Sequence, residues 1–217
     1  RNSGIKASRG KYIALLDSDD RWFQDKLKRQ VALLEKSEEK VGLIYSSLLV
    51  KGENGNIVRK EEANARGQIF LNLLTNHNVI AGGGSTALVK KECFNKVGCF
   101  DERLHVAEDW DMWIRIARKY DIDFVDDFLV EVYKHEENIS RKAGVRAKNL
   151  KEFLNKHEEN FKKAEAKSGY SGLLHRIGRL LCHDSRVKYG RRYLWKSFLI
   201  NSRLIILLEI LLTLTGN

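Results

Sequence analysis

The chain has 217 residues, 43% hydrophobic and 31% charged, with no proline and only three cysteines, Cys93, Cys99 and Cys182. That balance fits a globular chain with one sizeable core and an appendage, and three unpatterned cysteines read as reduced structural residues ahead of a metal or disulfide role. The net charge of +10 is uneven: residues 1–140 hold 22 Lys+Arg against 23 Asp+Glu, whereas residues 141–217 hold 17 against 6.

In chain order, KYIALLD (11–17) is an apolar run that reads as a strand buried on both faces of a parallel sheet. Asp20 is placed to cap the helix that follows, in which Trp22, Phe23, Leu27, Val31 and Leu34 recur at helical spacing to about Ser37. VGLIYSSLLV (41–50) is a second strand, ENGN (53–56) a turn, and IVRK the return strand. Residues 67–76 predict a short helix. AGGGSTALVKK (81–91) predicts a glycine-rich turn entering a strand, followed by a helix over 91–97. WDMWIRIARKY (110–120) is amphipathic, and 122–126 and 128–134 read as short strands. From about 145 the pattern is helical, in pieces near 145–168, 171–183 and 188–214, with KSGYSG (167–172) as the expected joint. Mixed elements followed by helices alone predict an α/β domain with a helical C-terminal extension. The boundary is set between 1–144 and 145–217.

Three groups carry chemistry. Asp17, Asp19 and Asp20 crowd the end of the first strand, where open α/β sheets bind ligands. Such carboxylates either are solvated in a turn or hold a hard cation such as Mg²⁺ or Mn²⁺ together with phosphate oxygens. Glu108 and Asp109 precede the amphipathic helix, where they either complement its dipole or supply a general base. His135, in VYKHEENIS (132–140), is either structural or within reach of a phosphate or metal.

Taken together, RNSGIKASRGKYIALLDSDDRW (1–22), GGGSTALVKKECFNKVGCFDERL (82–104), AEDWDMWIRI (107–116) and VYKHEENIS resemble, in order, four segments of the GT-A-fold glycosyltransferases of family 2. The resemblance implies a metal-dependent, inverting transfer from a nucleotide-sugar donor to a hydroxyl acceptor. That acceptor would be a glycan or lipid-linked saccharide in cell-surface polysaccharide synthesis, and the sugar a hexosyl or N-acetylhexosaminyl group. It also implies roles. Asp17, Asp19 and His135 are metal positions, for Mn²⁺ or Mg²⁺. Asp17, Asp19, Arg1 and Asn2 lie on the donor side, and Gly83, Gly84, Ser85 and Trp110 on the acceptor side. Asp109 is the catalytic base and Glu108 its companion. The family's proline after the Asp-x-Asp–Trp segment is absent. So is its N-terminal strand–helix–strand half that binds base and ribose. The resemblance therefore implies a GT-A sheet truncated at the N-terminus and residues upstream of Arg1. A non-catalytic glycosyltransferase-like subunit is the alternative.

RVKYGRRYLWKSF (186–198) interleaves Lys and Arg with Tyr189, Tyr193, Trp195 and Phe198, ahead of the apolar LIILLEILLTL (204–214). The pattern suits the surface of an anionic membrane, and with the family's lipid-linked acceptors it implies a cytoplasmic protein at the inner face of the cell membrane. An ordinary packed helical extension has the same pattern. No nucleic-acid-binding motif is present.

Overall fold

The computed structural model describes residues 1–76, 79–133 and 142–215. The chain divides into two compact units. The first comprises Arg1–Leu73, His77–Asp101 and Glu108–Glu136; the second comprises Leu74–Asn76, Glu102–Ala107 and Glu137–Asn217.

The first unit is built on a mixed six-stranded sheet. Its strands are β1 (Tyr12–Ala14), β2 (Arg21–Trp22), β3 (Val41–Lys51), β4 (Ile57–Glu61), β5 (Leu88–Lys90) and β6 (Asp121–Tyr133). The order is β1-β5-β3-β6-β2, with β4 on β3. β3 and β6 run parallel, and the other pairs are antiparallel. β3 is buried along almost its whole length, as a central strand of branched and aromatic residues should be. Leu34, Val41, Ile44 and Leu88 form one core cluster, and Leu48, Val50 and Val130 form another.

The fold departs from several expectations. The first strand is three residues long and pairs antiparallel with β5, so an apolar run marked a strand but not its direction. The two strands expected over 122–134 are one long β6, whose pairing with β3 shifts register at Ser46/Ser47 and Ser47/Leu48. The helix expected from Asp20 starts later: Arg21 and Trp22 pair with β6, and α2 spans Lys26–Lys36 with Asp25 at its start. Asp20 therefore does not cap α2. The buried stripe of α2 is Lys26, Gln30 and Leu34, while Phe23 and Leu27 are each 41% exposed.

Four further helices belong to or begin in this unit: α1 (Asn2–Ala7), α3 (Phe70–Thr75), α4 (Lys91–Val97) and α5 (Glu108–Ala117). Trp110, Met112, Trp113, Ile114 and Ile116 of α5 are buried. Arg115 ties that helix to the preceding turn. It pairs with buried Asp111 and donates to the carbonyls of Val97 and Cys99 at 2.7 and 2.9 Å.

The second unit is helical: α6 (Ala143–Phe161), α7 (Lys167–His183), α8 (Val187–Ile200) and α9 (Leu204–Thr215). KSGYSG is not a joint but the start of α7. A Cβ on Gly169 would lie 2.0 Å from the Leu74 carbonyl oxygen, so this glycine serves close packing. The turn between α6 and α7 falls at Ala164–Ala166. The single helix expected over 188–214 is two, because Asn201 is extended. α9 packs Ile206 and Ile210 on Leu194 and leaves Leu204, Ile205, Leu208, Leu211 and Leu212 about half exposed or more.

Candidate active site

The chain leaves β1 through Leu15 and Leu16 into the Asp17–Asp20 turn, closed by the Asp20 N–H donating to the Asp17 carbonyl at 3.1 Å. This turn is held from behind by Ser85, which is fully buried. The Ser85 hydroxyl accepts the Asp17 N–H at 3.0 Å and bonds the Asp20 carboxyl, while the Ser85 carbonyl accepts the Trp22 indole N–H at 2.8 Å. Burial, with Asp17 and Asp19 nearby, pushes the Asp20 carboxyl up to about 6. Asp19 is exposed and faces solvent.

Ser85 is itself fixed by a buried polar frame. Gln30 donates to the Thr86 carbonyl at 2.7 Å, Thr86 donates to the Ala81 carbonyl at 2.7 Å, and Lys26 donates to Gln30 at 2.7 Å. The Lys26 ammonium lies 4.3 Å from the centre of the Trp22 ring. Burial without a carboxylate pulls its pKa down to about 7. Sequence reasoning missed this frame. Lys26, Gln30 and Leu34 do recur every four positions, which is a helical stripe, but two polar members hid it.

The glycines before Ser85 are the front of the same loop. Gly82 and Gly83 have φ of 75° and 57°. A Cβ on Gly83 would sit 3.5 Å from an Asp17 carboxylate oxygen and 3.5 Å from an Asp109 carboxylate oxygen. The two oxygens thus lie within twice that distance of each other, both facing the bare backbone of Gly83. Gly84 packs against Leu15.

Glu108 and Asp109 open α5, directly after Ala107, whose φ of 68° is strained for a residue with a Cβ. Asp109 accepts the Trp110 N–H at 2.7 Å. Burial first, then the charge of Glu108, pushes its carboxyl up to about 6, against the opposing pull of that N–H and of Arg1. Arg1 joins the two acidic groups: its guanidinium bonds Asp17 at 2.5 Å and Glu108 at 2.7 Å and lies over the Phe100 ring. Asn2 clamps the Phe100 backbone, donating to its carbonyl and accepting its N–H, both at 2.9 Å.

The structure therefore brings Arg1, Asp17, Gly83, Glu108 and Asp109 together. Ser85 and Trp110 are buried and act from behind; the Trp110 indole donates to the Leu73 carbonyl at 2.7 Å. His135 lies outside the described residues. Among the described residues, no group of three or more His, Cys, Asp or Glu could hold a metal by itself. A cavity of about 690 Å³ lined by Lys11, Tyr12, Glu35, Lys91 and Glu92 shares no residue with this cluster.

The family model described as glycosyltransferase-like family 2 matches residues 1–171. The chain belongs to that family. An uncharacterised glycosyltransferase of Methanocaldococcus jannaschii is 32% identical over 134 residues, which are 60% of this chain and 44% of that protein. The amylovoran biosynthesis glycosyltransferase AmsB of Erwinia amylovora is 31% identical over 130 residues, 58% of this chain and 42% of its own length. The chain thus spans less than half the length of either relative. A mannosyltransferase from Pyrobaculum calidifontis, solved with GDP-Man and Mn²⁺, superposes on 99% of this chain and 57% of its own with a TM-score of 0.50 at 18% identity. That likeness shows a shared GT-A fold.

Proposed function

We propose that the Asp17–Gly83–Asp109 gap is where a sugar passes from a nucleotide-sugar donor to an acceptor hydroxyl. The observation that carries this reading is the convergence of two carboxylates from distant segments on one glycine, with Arg1 bridging the acidic groups around them. We assign residues 1–144 to the catalytic portion and 145–217 to a helical basic extension.

Asp17 and Asp19 are the donor-side carboxylates. They are hard oxygen donors at a strand end, beside a gap that a side chain would fill, and they fit Mn²⁺ or Mg²⁺ held jointly with phosphate oxygens. When bound, such a cation offsets charge on a departing diphosphate. The related fold solved with Mn²⁺ supports this assignment of the cation.

Asp109 is the base. A carboxyl raised to about 6 is a better proton acceptor than an ordinary one and is still ionised near neutral pH. It takes the proton from the acceptor hydroxyl as that oxygen attacks the anomeric carbon opposite the leaving group, which inverts configuration. Glu108 holds Arg1, and Arg1 holds Asp17, so donor and base sides are set relative to each other before substrate arrives. Asn2 contributes by fixing Phe100 and the start of α1.

The relationship to AmsB supports an acceptor in cell-surface polysaccharide synthesis, a glycan or a lipid-linked saccharide. No described helix is long and apolar enough to cross a membrane. The basic α8 and the exposed apolar side of α9 support peripheral attachment at the inner face of an anionic membrane. The test is a panel of nucleotide sugars and saccharide acceptors, with the full-length protein in Mn²⁺, Mg²⁺ or EDTA. The expected result is nucleoside diphosphate release that depends on the cation and on one donor. Cation-independent transfer would rule out Asp17 and Asp19 as ligands of a catalytic cation.

A further inference from the structure

The helical unit contains a cavity of about 430 Å³ lined by Arg146 of α6 and by His175, Arg176, Arg179 and His183 of α7. Two acidic groups stand near it. Glu209 of α9 bonds His175 at 2.6 Å and lies 3.6 Å from Arg179. Asp184 pairs with Arg186 at 3.1 Å and lies against Gly144. Each of these carboxylates thus has a basic partner other than Arg146 or Arg176.

Arg146 and Arg176 are left over. Each is partly buried, and among the described residues neither is paired with a carboxylate. Burial, then the neighbouring charge of Arg146, lowers the pKa of Arg176. A guanidinium does not shed its proton under ordinary conditions, so both charges persist in the cavity. Two like charges sharing a partly desolvated cavity are unfavourable unless an anion joins them. A suitable partner presents several oxygens to two forked donors, which is the geometry of phosphate.

We propose that this cavity binds a phosphate-bearing ligand, a phosphomonoester or a diphosphate, between the guanidinium groups of Arg146 and Arg176. This site is separate from the Asp17–Asp109 gap and does not rest on the sugar-transfer reading.

The test is calorimetric titration of inorganic pyrophosphate into the protein in EDTA, so that no cation recruits pyrophosphate to the carboxylates. The wild type binds. Arg146→Gln/Arg176→Gln weakens binding by at least about tenfold, while Lys148→Gln/Lys163→Gln, which removes equal charge from exposed positions of the same unit, changes it by less than about twofold. Arg146→Lys/Arg176→Lys keeps the charge, loses the fork and falls between the two. Flotation with phosphatidylcholine vesicles, with and without phosphatidic acid, identifies the source. Binding that needs phosphatidic acid, is competed by pyrophosphate and is lost in the Arg146→Gln/Arg176→Gln variant assigns a lipid headgroup; pyrophosphate binding without such flotation assigns a soluble ester. Absence of wild-type pyrophosphate binding at millimolar concentration, or equal weakening by both glutamine variants, overturns the proposal. Retained sugar transfer in Arg146→Gln/Arg176→Gln keeps the two sites experimentally distinct.

Discussion

Asp17 and Asp109 each bring a carboxylate oxygen to 3.5 Å from the place where a Cβ on Gly83 would sit. Residue 83 has no side chain and a left-handed backbone, so nothing from that position occupies the space beside the two carboxylates.

Gly83→Ala tests that gap. An alanine at φ of 57° costs about 1–2 kcal/mol of strain, and its methyl contacts both carboxylates. The expected outcome is a folded protein with a slightly lower melting temperature and a loss of transfer far larger than the loss of stability. Calorimetric melting alongside a transfer assay measures both. Unchanged transfer would mean that substrate does not enter between Asp17 and Asp109.

The pH profile should carry the signature of Asp109. Its carboxyl is pushed up to about 6, and only the ionised form accepts a proton, so kcat/KM falls as pH drops through about 6. Arg1 opposes that upward shift, so Arg1→Gln moves the acid limb to higher pH. A limb that stays in place on removing Arg1 would separate Arg1 from the base.

The same shift has a consequence for stability. Folding raises the Asp109 pKa from 3.8 to about 6, so the folded state binds the proton more tightly. Stability therefore rises as pH falls from above 6 to below 3.8, and the ionised carboxylate costs about 1–3 kcal/mol at neutral pH after allowance for solvent access. Asp109→Asn should accordingly melt no lower than wild type at pH 7.5, and higher if the amide keeps the Trp110 N–H bond. A large drop in melting temperature would contradict the burial argument.

Lys26 gives the opposite sign. Folding lowers its pKa from 10.5 to about 7, so the folded state sheds the proton more readily. Stability rises as pH climbs from 7 towards 10.5, and the full cost of the buried charge is present below 7. Lys26→Met should raise the melting temperature, most strongly below pH 7 and less at each step above it. Melts between pH 6 and 9 check this. Destabilisation at pH 6 would show that the Trp22 and Gln30 contacts outweigh desolvation.

The strands and helices with uninterrupted patterns were legible in the sequence. VGLIYSSLLV is β3 and WDMWIRI lies in α5, because branched and aromatic runs leave few alternatives. The direction of β1 was not legible, since pairing partners come from elsewhere in the chain. The face of α2 was misread because Lys26 and Gln30 are buried through Trp22 and Thr86, contacts that no hydropathy pattern contains. Asp20 looked like a cap because it precedes an apolar stretch; instead it turns back to Ser85. Gly169 looked like a hinge because glycine serves both flexible joints and close packing. At the site, the residue types were visible in the motifs. Their convergence on Gly83, and the Arg1 bridge, required the fold.

Donor binding and sugar transfer, measured together in Asp19→Ala and Asp109→Asn, test the division of labour at this site most directly. With Mn²⁺ present, Asp19→Ala should weaken donor binding by at least about tenfold and transfer with it. Asp109→Asn should bind the donor as wild type does and lower transfer by about a hundredfold or more. Transfer that persists in Asp109→Asn, with donor binding intact, would contradict the assignment of Asp109 as the base.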